Sequence, residues 1–254
     1  MEYNIDNSKK DAETHFNFGM DADTDPDVTL DPEKGMYLSK MIASTIRNKG
    51  FRSFMIIGDR NIGKSTYALV ALHEAFLILG DDEITAWTKA LSCIKFNVDA
   101  VTSYLNKGVE MYETDKTKLP ALCWDDLRKY ASALTFFSNR ELYGEISGLL
   151  DTIKIPLNVF IGTCPSVQGI MNIIRSYDGY QINIGYSKKS GRYRDAKCYL
   201  WKTSPMGQKT LYPKWVDTFF CRLPNWVWKD YELDRVAASK QSIAAVARAA
   251  KNRG

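Results

Sequence analysis

Gly58-Asp59-Arg60-Asn61-Ile62-Gly63-Lys64-Ser65 follows the apolar run Ser53–Ile57 (SFMII) and leads into Thr66–Leu79, where Leu69, Leu72, Ala75, Phe76 and Leu79 recur at helical spacing. Every fixed position of the pattern G-x-x-x-x-G-K-[ST] is matched, and the setting is a strand that turns into a helix. A glycine-rich turn in that place wraps a phosphate, because its backbone N–H groups and the helix N-terminus face the anion. Gly58 and Gly63 are the positions at which the turn needs permissive backbone angles. Lys64 is the candidate point charge on the β- and γ-phosphates, and the Ser65 hydroxyl is the candidate Mg²⁺ ligand. Asp59, Arg60, Asn61, Ile62 and Thr66 complete the cradle by position. The alternative is a chance glycine turn before a helix.

A second motif speaks against chance. Leu119-Pro120-Ala121-Leu122-Cys123-Trp124 is an apolar run that ends in Asp125-Asp126. Two acids at the end of a core strand are costly to desolvate unless a cation stands near them. Mg²⁺ removes the difficulty, with Asp125 holding the metal through water and Asp126 orienting and polarising the water that attacks the γ-phosphate. An acidic pair capping a turn is the simpler alternative. A third apolar run, Leu157–Ile161 (LNVFI), continues into Gly162-Thr163-Cys164-Pro165-Ser166. In ATPases whose sensor strand lies between the other two, a polar residue here touches the γ-phosphate or the attacking water. Thr163 is the candidate, against the reading that it merely ends the strand.

Around these motifs the chain alternates helical and strand-like periods. A helix is expected over Met36–Lys49, with one or two more over Glu83–Leu105 broken near Phe96 and Asn97. A polar stretch follows from Glu110 to Lys118, and another helix is expected over Asn139–Ile153. This order implies an α/β, three-layer P-loop NTPase with a mostly parallel sheet of the additional-strand ATPase type. Beyond Tyr180, the segments QINIGY, AKCYLWKT and WVDTFFCRL predict a small antiparallel β extension, and two C-terminal helices follow from about Trp226. The resulting division is an acidic disordered arm at 1–33, an ATPase core at 34–178, the β extension at 179–225, and helices with a basic tail at 226–254.

The composition is consistent with that plan. With 45% apolar and 25% charged residues among 254, the chain can bury one substantial core. Residues 1–33 set a run of acids against only Lys9 and Lys10, whereas Arg235, Lys240, Arg248, Lys251 and Arg253 follow Asp234 without an acid. No stretch approaches the roughly 20 apolar residues of a membrane span, so a soluble cytoplasmic protein with no membrane partner is expected. Cys93, Cys123, Cys164, Cys198 and Cys221 have no CxxC spacing and are expected as free thiols.

Absent motifs narrow the nucleotide. Asn106-Lys107-Gly108-Val109 lacks the acid of an N-K-x-D base reader, and Asp125-Asp126-Leu127-Arg128 lacks the glycine of D-x-x-G, so ATP is favoured over GTP. No lid segment of a small-molecule kinase is recognisable. The chain resembles the DnaA-like ATPases carried by fuselloviruses, the spindle-shaped viruses of thermophilic archaea, and by related plasmids. The resemblance spans roughly residues 40–235. It rests on Met55–Gly58 running into Gly63–Leu69, on Ala86-Trp87 and Ala90-Leu91, on Asp125-Asp126, on Thr163–Ser166, and on Leu223-Pro224-Asn225-Trp226-Val227 with Tyr231. It implies an ATP- and Mg²⁺-dependent ATPase of the DnaA-like or AAA-type group, acting on viral or plasmid DNA in replication, in the host cytoplasm if viral. A homo-oligomer and a replication or packaging protein partner are implied as well. The β-rich stretch 180–222 departs from the α-helical lid of a full AAA-type protein, which puts a lid-mediated hexamer in doubt. A packaging or translocation ATPase, and a slow nucleotide-dependent switch, stand as alternatives.

Two further features remain open. Lys188, Lys189, Arg192, Arg194, Lys197 and Lys202 surround a turn, interleaved with Tyr193, Tyr199 and Trp201. They either track DNA phosphates with the aromatics stacked on bases, or form a solvated turn with the aromatics packed inward. Arg175 is either an arginine finger for a neighbouring subunit or a surface arginine.

Overall fold

Helix α1 (Tyr37–Arg47) leads into strand β1 (Arg52–Ile57), the phosphate-loop sequence, and helix α2 (Lys64–Ile78). Helix α3 (Glu83–Cys93), the two-residue strand β2 (Ile94–Lys95), helix α4 (Val98–Asp115) and strand β3 (Leu119–Trp124) follow. Strands β4 (Leu157–Cys164), β5 (Tyr180–Tyr186), β6 (Tyr193–Thr203) and β7 (Lys209–Phe220), then helix α5 (Asn225–Lys251), complete the order. These come from a computed structural model that describes residues 35–127, 144, 148, 151–166, 179–189, 191–203 and 209–251. The acidic arm, Arg175, most of the helix expected at Asn139–Ile153 and the end of the basic tail lie outside the described residues.

All seven strands form one sheet in the order β2-β3-β4-β1-β5-β6-β7. Strands β2, β3, β4, β1 and β5 are parallel, β6 pairs antiparallel with β5, and β7 pairs antiparallel with β6. The sheet is therefore mostly parallel, with β4 as the additional strand between the phosphate-loop strand and the acidic strand. The antiparallel part begins one strand later than the sequence pattern suggested, because β5 joins the parallel sheet beside β1.

Strand β4 is buried at every position, as expected of a central strand covered on both faces. One face carries Val159 and Ile161 against the residues of α1, α2 and α3, and the other carries Phe160 and Cys164 with Val101 and Leu105 of α4. Helix α2 is buried nearly all round, and its Ala68, Ala71 and Ala75 let neighbouring elements approach closely. Helix α4 begins in the stretch expected to be helical up to Leu105 and runs on to Asp115, through most of the polar stretch Glu110–Lys118. Its buried residues Val101, Leu105 and Gly108 form one narrow stripe. Asp82 and Asn97 accept amide hydrogens at the starts of α3 and α4, as N-caps do. Helix α5 is a single helix where two were expected, since no glycine or proline interrupts Trp226–Lys251.

Helix α1 has no N-cap of its own, because Met36 offers no side-chain oxygen. Its first amides are satisfied from elsewhere in the fold. Asp217 of β7 accepts from Tyr37 N at 2.8 Å and Leu38 N at 3.2 Å, and Glu74 of α2 accepts from Met36 N at 2.8 Å. The Tyr67 hydroxyl donates to the same Asp217 carboxylate at 2.6 Å. Burial pushes the Asp217 carboxyl above the usual carboxylate range, and the Tyr67 hydroxyl and the two amides draw it partly back. Asp217→Ala strips a helix end and a buried hydroxyl of their acceptor. It should cost on the order of 3 kcal/mol in urea unfolding, with Asp217→Asn losing distinctly less. A loss under about 1 kcal/mol would show that α1 does not depend on this carboxylate.

Candidate nucleotide site

Parallel register brings three strand ends to one edge of the sheet. Ile57 lies opposite Cys164, and Trp124 lies opposite Gly162, so Gly58, Asp125 and Thr163 become neighbours at the carboxyl ends of β1, β3 and β4. Ligands of open α/β sheets bind at this edge.

The loop departs from β1 through Gly58 at φ +153 and enters α2 through Gly63 at φ +104, angles that a side chain would strain. Asp59, Arg60 and Asn61 are exposed at its tip, and Ile62 is buried beneath. Lys64 lies in the first turn of α2 and is buried, with Nζ donating to Gly58 O at 2.9 Å and Asp59 O at 2.7 Å. Burial lowers its pKa, while Asp126 and then Asp125 pull it back toward the charged form. The ammonium is thus held inside the loop's curve with both strand-end acids in its field.

Asp125 is 6% exposed and is the most heavily bonded group of the site. Its Oδ1 accepts from Ser65 Oγ at 2.8 Å and from Thr163 Oγ1 at 2.5 Å, and its Oδ2 accepts from Tyr231 OH at 2.8 Å. Its backbone N donates to Lys95 O at 2.9 Å, which ties β3 to β2 just below the carboxylate. Asp126 differs in every respect: it is exposed, and it takes the left-handed conformation at φ +55. Its amide donates to Thr163 Oγ1 at 3.0 Å. Thr163 therefore bridges the two acids, fixing one carboxylate and the backbone that aims the other.

The donor set suits Mg²⁺. Ser65 Oγ and Asp125 Oδ1 are hard oxygens from the two sides of one crevice, and the ion takes few protein ligands and completes its shell with phosphate and water oxygens. Among the described residues no three His, Cys, Asp or Glu converge as a metal cage, so an ion here depends on those added oxygens.

The structure brings together Gly58, Gly63, Lys64, Ser65, Asp125, Asp126 and Thr163 as the sequence motifs suggested, and it adds two neighbours. Tyr231 of α5 was part of the late sequence element without a role at this edge. The spacing Leu223, Val227, Tyr231 marks one helix face, and all three are buried. Cys221, just after β7, lies against Gly63: a Cβ on Gly63 would fall 2.3 Å from its Sγ. All five cysteines are free, and burial pushes the Cys221 thiol up.

No family model matches the chain. The uncharacterized protein B-251 of Sulfolobus spindle-shape virus 1 is 26% identical over 206 residues, 77% of this chain and 78% of the relative. Among solved structures, the N-terminal domain of zonular occludens toxin from Neisseria meningitidis is similar at 12% identity, covering 71% of this chain and 98% of that one, with a TM-score of 0.37. The KaiC-like protein PH0186 from Pyrococcus horikoshii OT3 is similar at 15% identity over 65% of this chain and 90% of that one, with a TM-score of 0.34. The cytoplasmic domain of the Type VII secretion ATPase EccC from Thermomonospora curvata gives 13% identity, 68% of this chain and 24% of that one, and a TM-score of 0.35. These likenesses are too distant to carry weight on function. The viral relative agrees with the source of the fusellovirus resemblance and leaves its DnaA-like part open. No helix among the described residues is long and apolar enough to cross a membrane.

The Gly63 contact is testable. Gly63→Ala adds both the left-handed strain and the clash with Cys221, and should lower stability by about 2 kcal/mol or more. Combining it with Cys221→Ala should recover part of that loss and leave the backbone part, read as a double-mutant cycle by thermal unfolding. Strict additivity would mean that the loop and Cys221 are not in contact.

Proposed function

We propose that this chain binds ATP with Mg²⁺ in the Gly58–Thr66 cradle and hydrolyses its γ-phosphate. The observation that carries the reading is the convergence of Ser65, Asp125 and Thr163 within hydrogen-bond distance beside a buried Lys64, with Asp126 exposed next to them. Loop amides and Lys64 bind and orient the phosphates. Ser65 and Asp125 would hold Mg²⁺, which would supply positive charge to offset that of the phosphate oxygens. Asp126 accepts a proton from the attacking water and aligns it in line with the leaving oxygen, while Thr163 fixes the backbone from which Asp126 projects.

Lys64→Ala should weaken ATP binding roughly 10- to 100-fold, the scale of a lost charge-assisted contact. Asp126→Asn should keep ATP affinity and lower kcat by about 10²-fold or more. Steady-state phosphate release together with equilibrium ATP binding separates the two. Equal losses of binding and turnover in Asp126→Asn would contradict the division of labour between the acids.

The cellular process is proposed as a DNA transaction of a DnaA-like or AAA-type viral ATPase, with the β5–β6 hairpin as the DNA-facing element. Lys188, Lys189, Arg192, Lys197 and Lys202 are exposed there. Arg194 is committed to the turn, since Nη1 donates to Gly191 O at 2.6 Å and the guanidinium lies 4.4 Å from the Tyr186 ring centroid. Trp201 is tied inward through Nε1 to Gln181 Oε1 at 3.1 Å, and Tyr193 packs edge-on against Phe220. These aromatics favour phosphate tracking over base stacking. Replacing Lys188, Lys189, Lys197 and Lys202 by Ser should reduce the log–log salt slope of duplex binding by about three to four units, at about 0.9 per phosphate contact. An unchanged slope would place any DNA contact elsewhere.

A further inference from the structure

We propose that Tyr231 is a positioning residue for Asp125, and that through it helix α5 is coupled to the metal-bound state of the site. This inference rests on the reading of Ser65 and Asp125 as Mg²⁺ ligands.

The Tyr231 hydroxyl is the donor to Asp125 Oδ2, and Tyr231 is only 3% exposed. With Oδ1 held by Ser65 and Thr163, this third hydrogen bond fixes the rotation of the carboxylate, so that Oδ1 faces the loop. The three donors come from three parts of the fold: the phosphate loop, the central strand and the C-terminal helix. An outer partner that orients a ligating carboxylate in this way affects metal affinity without touching the metal.

The attachment of α5 gives the contact a second consequence. Among the residues whose burial is described, Val227 and Tyr231 of the helix are buried, as is Leu223 just before it, and from Leu233 to Ala244 all are exposed but Ala238. Phe96 and Trp228 flank the Tyr231 ring at 5.4 and 5.5 Å between centroids. Farther along, Asn97 Nδ2 donates to Gln241 Oε1 at 2.9 Å on an exposed surface. The first two turns therefore carry the buried hold of the helix on the body, and one of their two buried side chains is bonded to Asp125. A cation on Asp125 favours the same carboxylate orientation that the Tyr231 hydroxyl holds, so each stabilises the other and the thermodynamic coupling is reciprocal. The same helix carries the basic residues Arg235 and Lys240. The coupling thus links nucleotide state to an exposed cationic segment.

The test uses the full chain with the β,γ-imido analogue of ATP. In Tyr231→Phe the Mg²⁺ concentration for half-maximal analogue binding should rise about tenfold, while binding of the analogue in EDTA stays as in the wild type. Equal weakening with and without Mg²⁺ would overturn the positioning role and make Tyr231 a helix-docking residue only. Amide hydrogen exchange over residues 225–236 of the wild type provides a reading that needs no variant. Adding Mg²⁺ to the analogue-saturated protein should change exchange there, and no change while Mg²⁺-dependent binding is measured in the same sample would overturn the coupling. If the wild type shows no Mg²⁺-dependent analogue binding at all, the nucleotide-site reading fails and this proposal falls with it.

Discussion

A single carboxylate, that of Asp125, joins the parts of this structure. It ends a core strand where an isolated charge would be expensive, and it is stabilised by hydroxyl donors from Ser65, Thr163 and Tyr231. Each donor belongs to an element with its own place in the sheet order. The phosphate loop leaves β1, Thr163 stands near the end of the additional strand β4, and Tyr231 comes from the C-terminal helix. Parallel register is what makes the meeting possible, because only parallel neighbours deliver three carboxyl ends to one edge. Asp126, one residue on, joins this network only through its amide, which donates to Thr163 Oγ1, and it is exposed with a left-handed backbone.

The opposite anchoring problem, the start of α1, is solved by the far end of the chain. Asp217 in β7 caps a helix some 180 residues earlier and also receives the Tyr67 hydroxyl from the helix that begins in the phosphate loop. Strands β5–β7 are thereby more than an appendage. They extend the parallel sheet through β5, cap α1 through Asp217, and press Cys221 against Gly63. Through Cys221 and Asp217 the β extension packs against both the phosphate loop and the helix that follows it, as well as enlarging the sheet.

What was legible in the sequence was local. Gly58–Ser65 with its flanking strand and helix, the apolar run ending in Asp125 and Asp126, and the largely apolar strand before Thr163 each carry their signal within one short continuous segment. The additional-strand order followed from those motifs, and the structure has it. What was illegible was non-local or weakly patterned. Strand β2 is two residues long and exists because Ile94 and Lys95 find β3. Beyond Leu105 helix α4 buries only Gly108, so its continuation to Asp115 shows in the sequence as no more than a polar stretch. The direction of β5 depends on which strand it meets, and a run such as QINIGY does not encode that. Tyr231 and Asp125 are 106 positions apart, and no periodicity connects a tyrosine on a helix face to an acid at a strand end. Spacing of Leu223, Val227 and Tyr231 could have placed Tyr231 on the buried face, though not its partner.

Ser65 and Asp125 are proposed to form a divalent-cation site that is complete only with a nucleotide. Electron paramagnetic resonance of Mn²⁺ substituting for Mg²⁺ addresses it directly, because free and bound Mn²⁺ give different signals. With ATP present, one tightly held ion per chain is expected beyond what ATP alone retains, with little binding by the protein without ATP. Ion binding that is indifferent to ATP, or an ATP–Mn²⁺ signal unaltered at saturating protein, would contradict it.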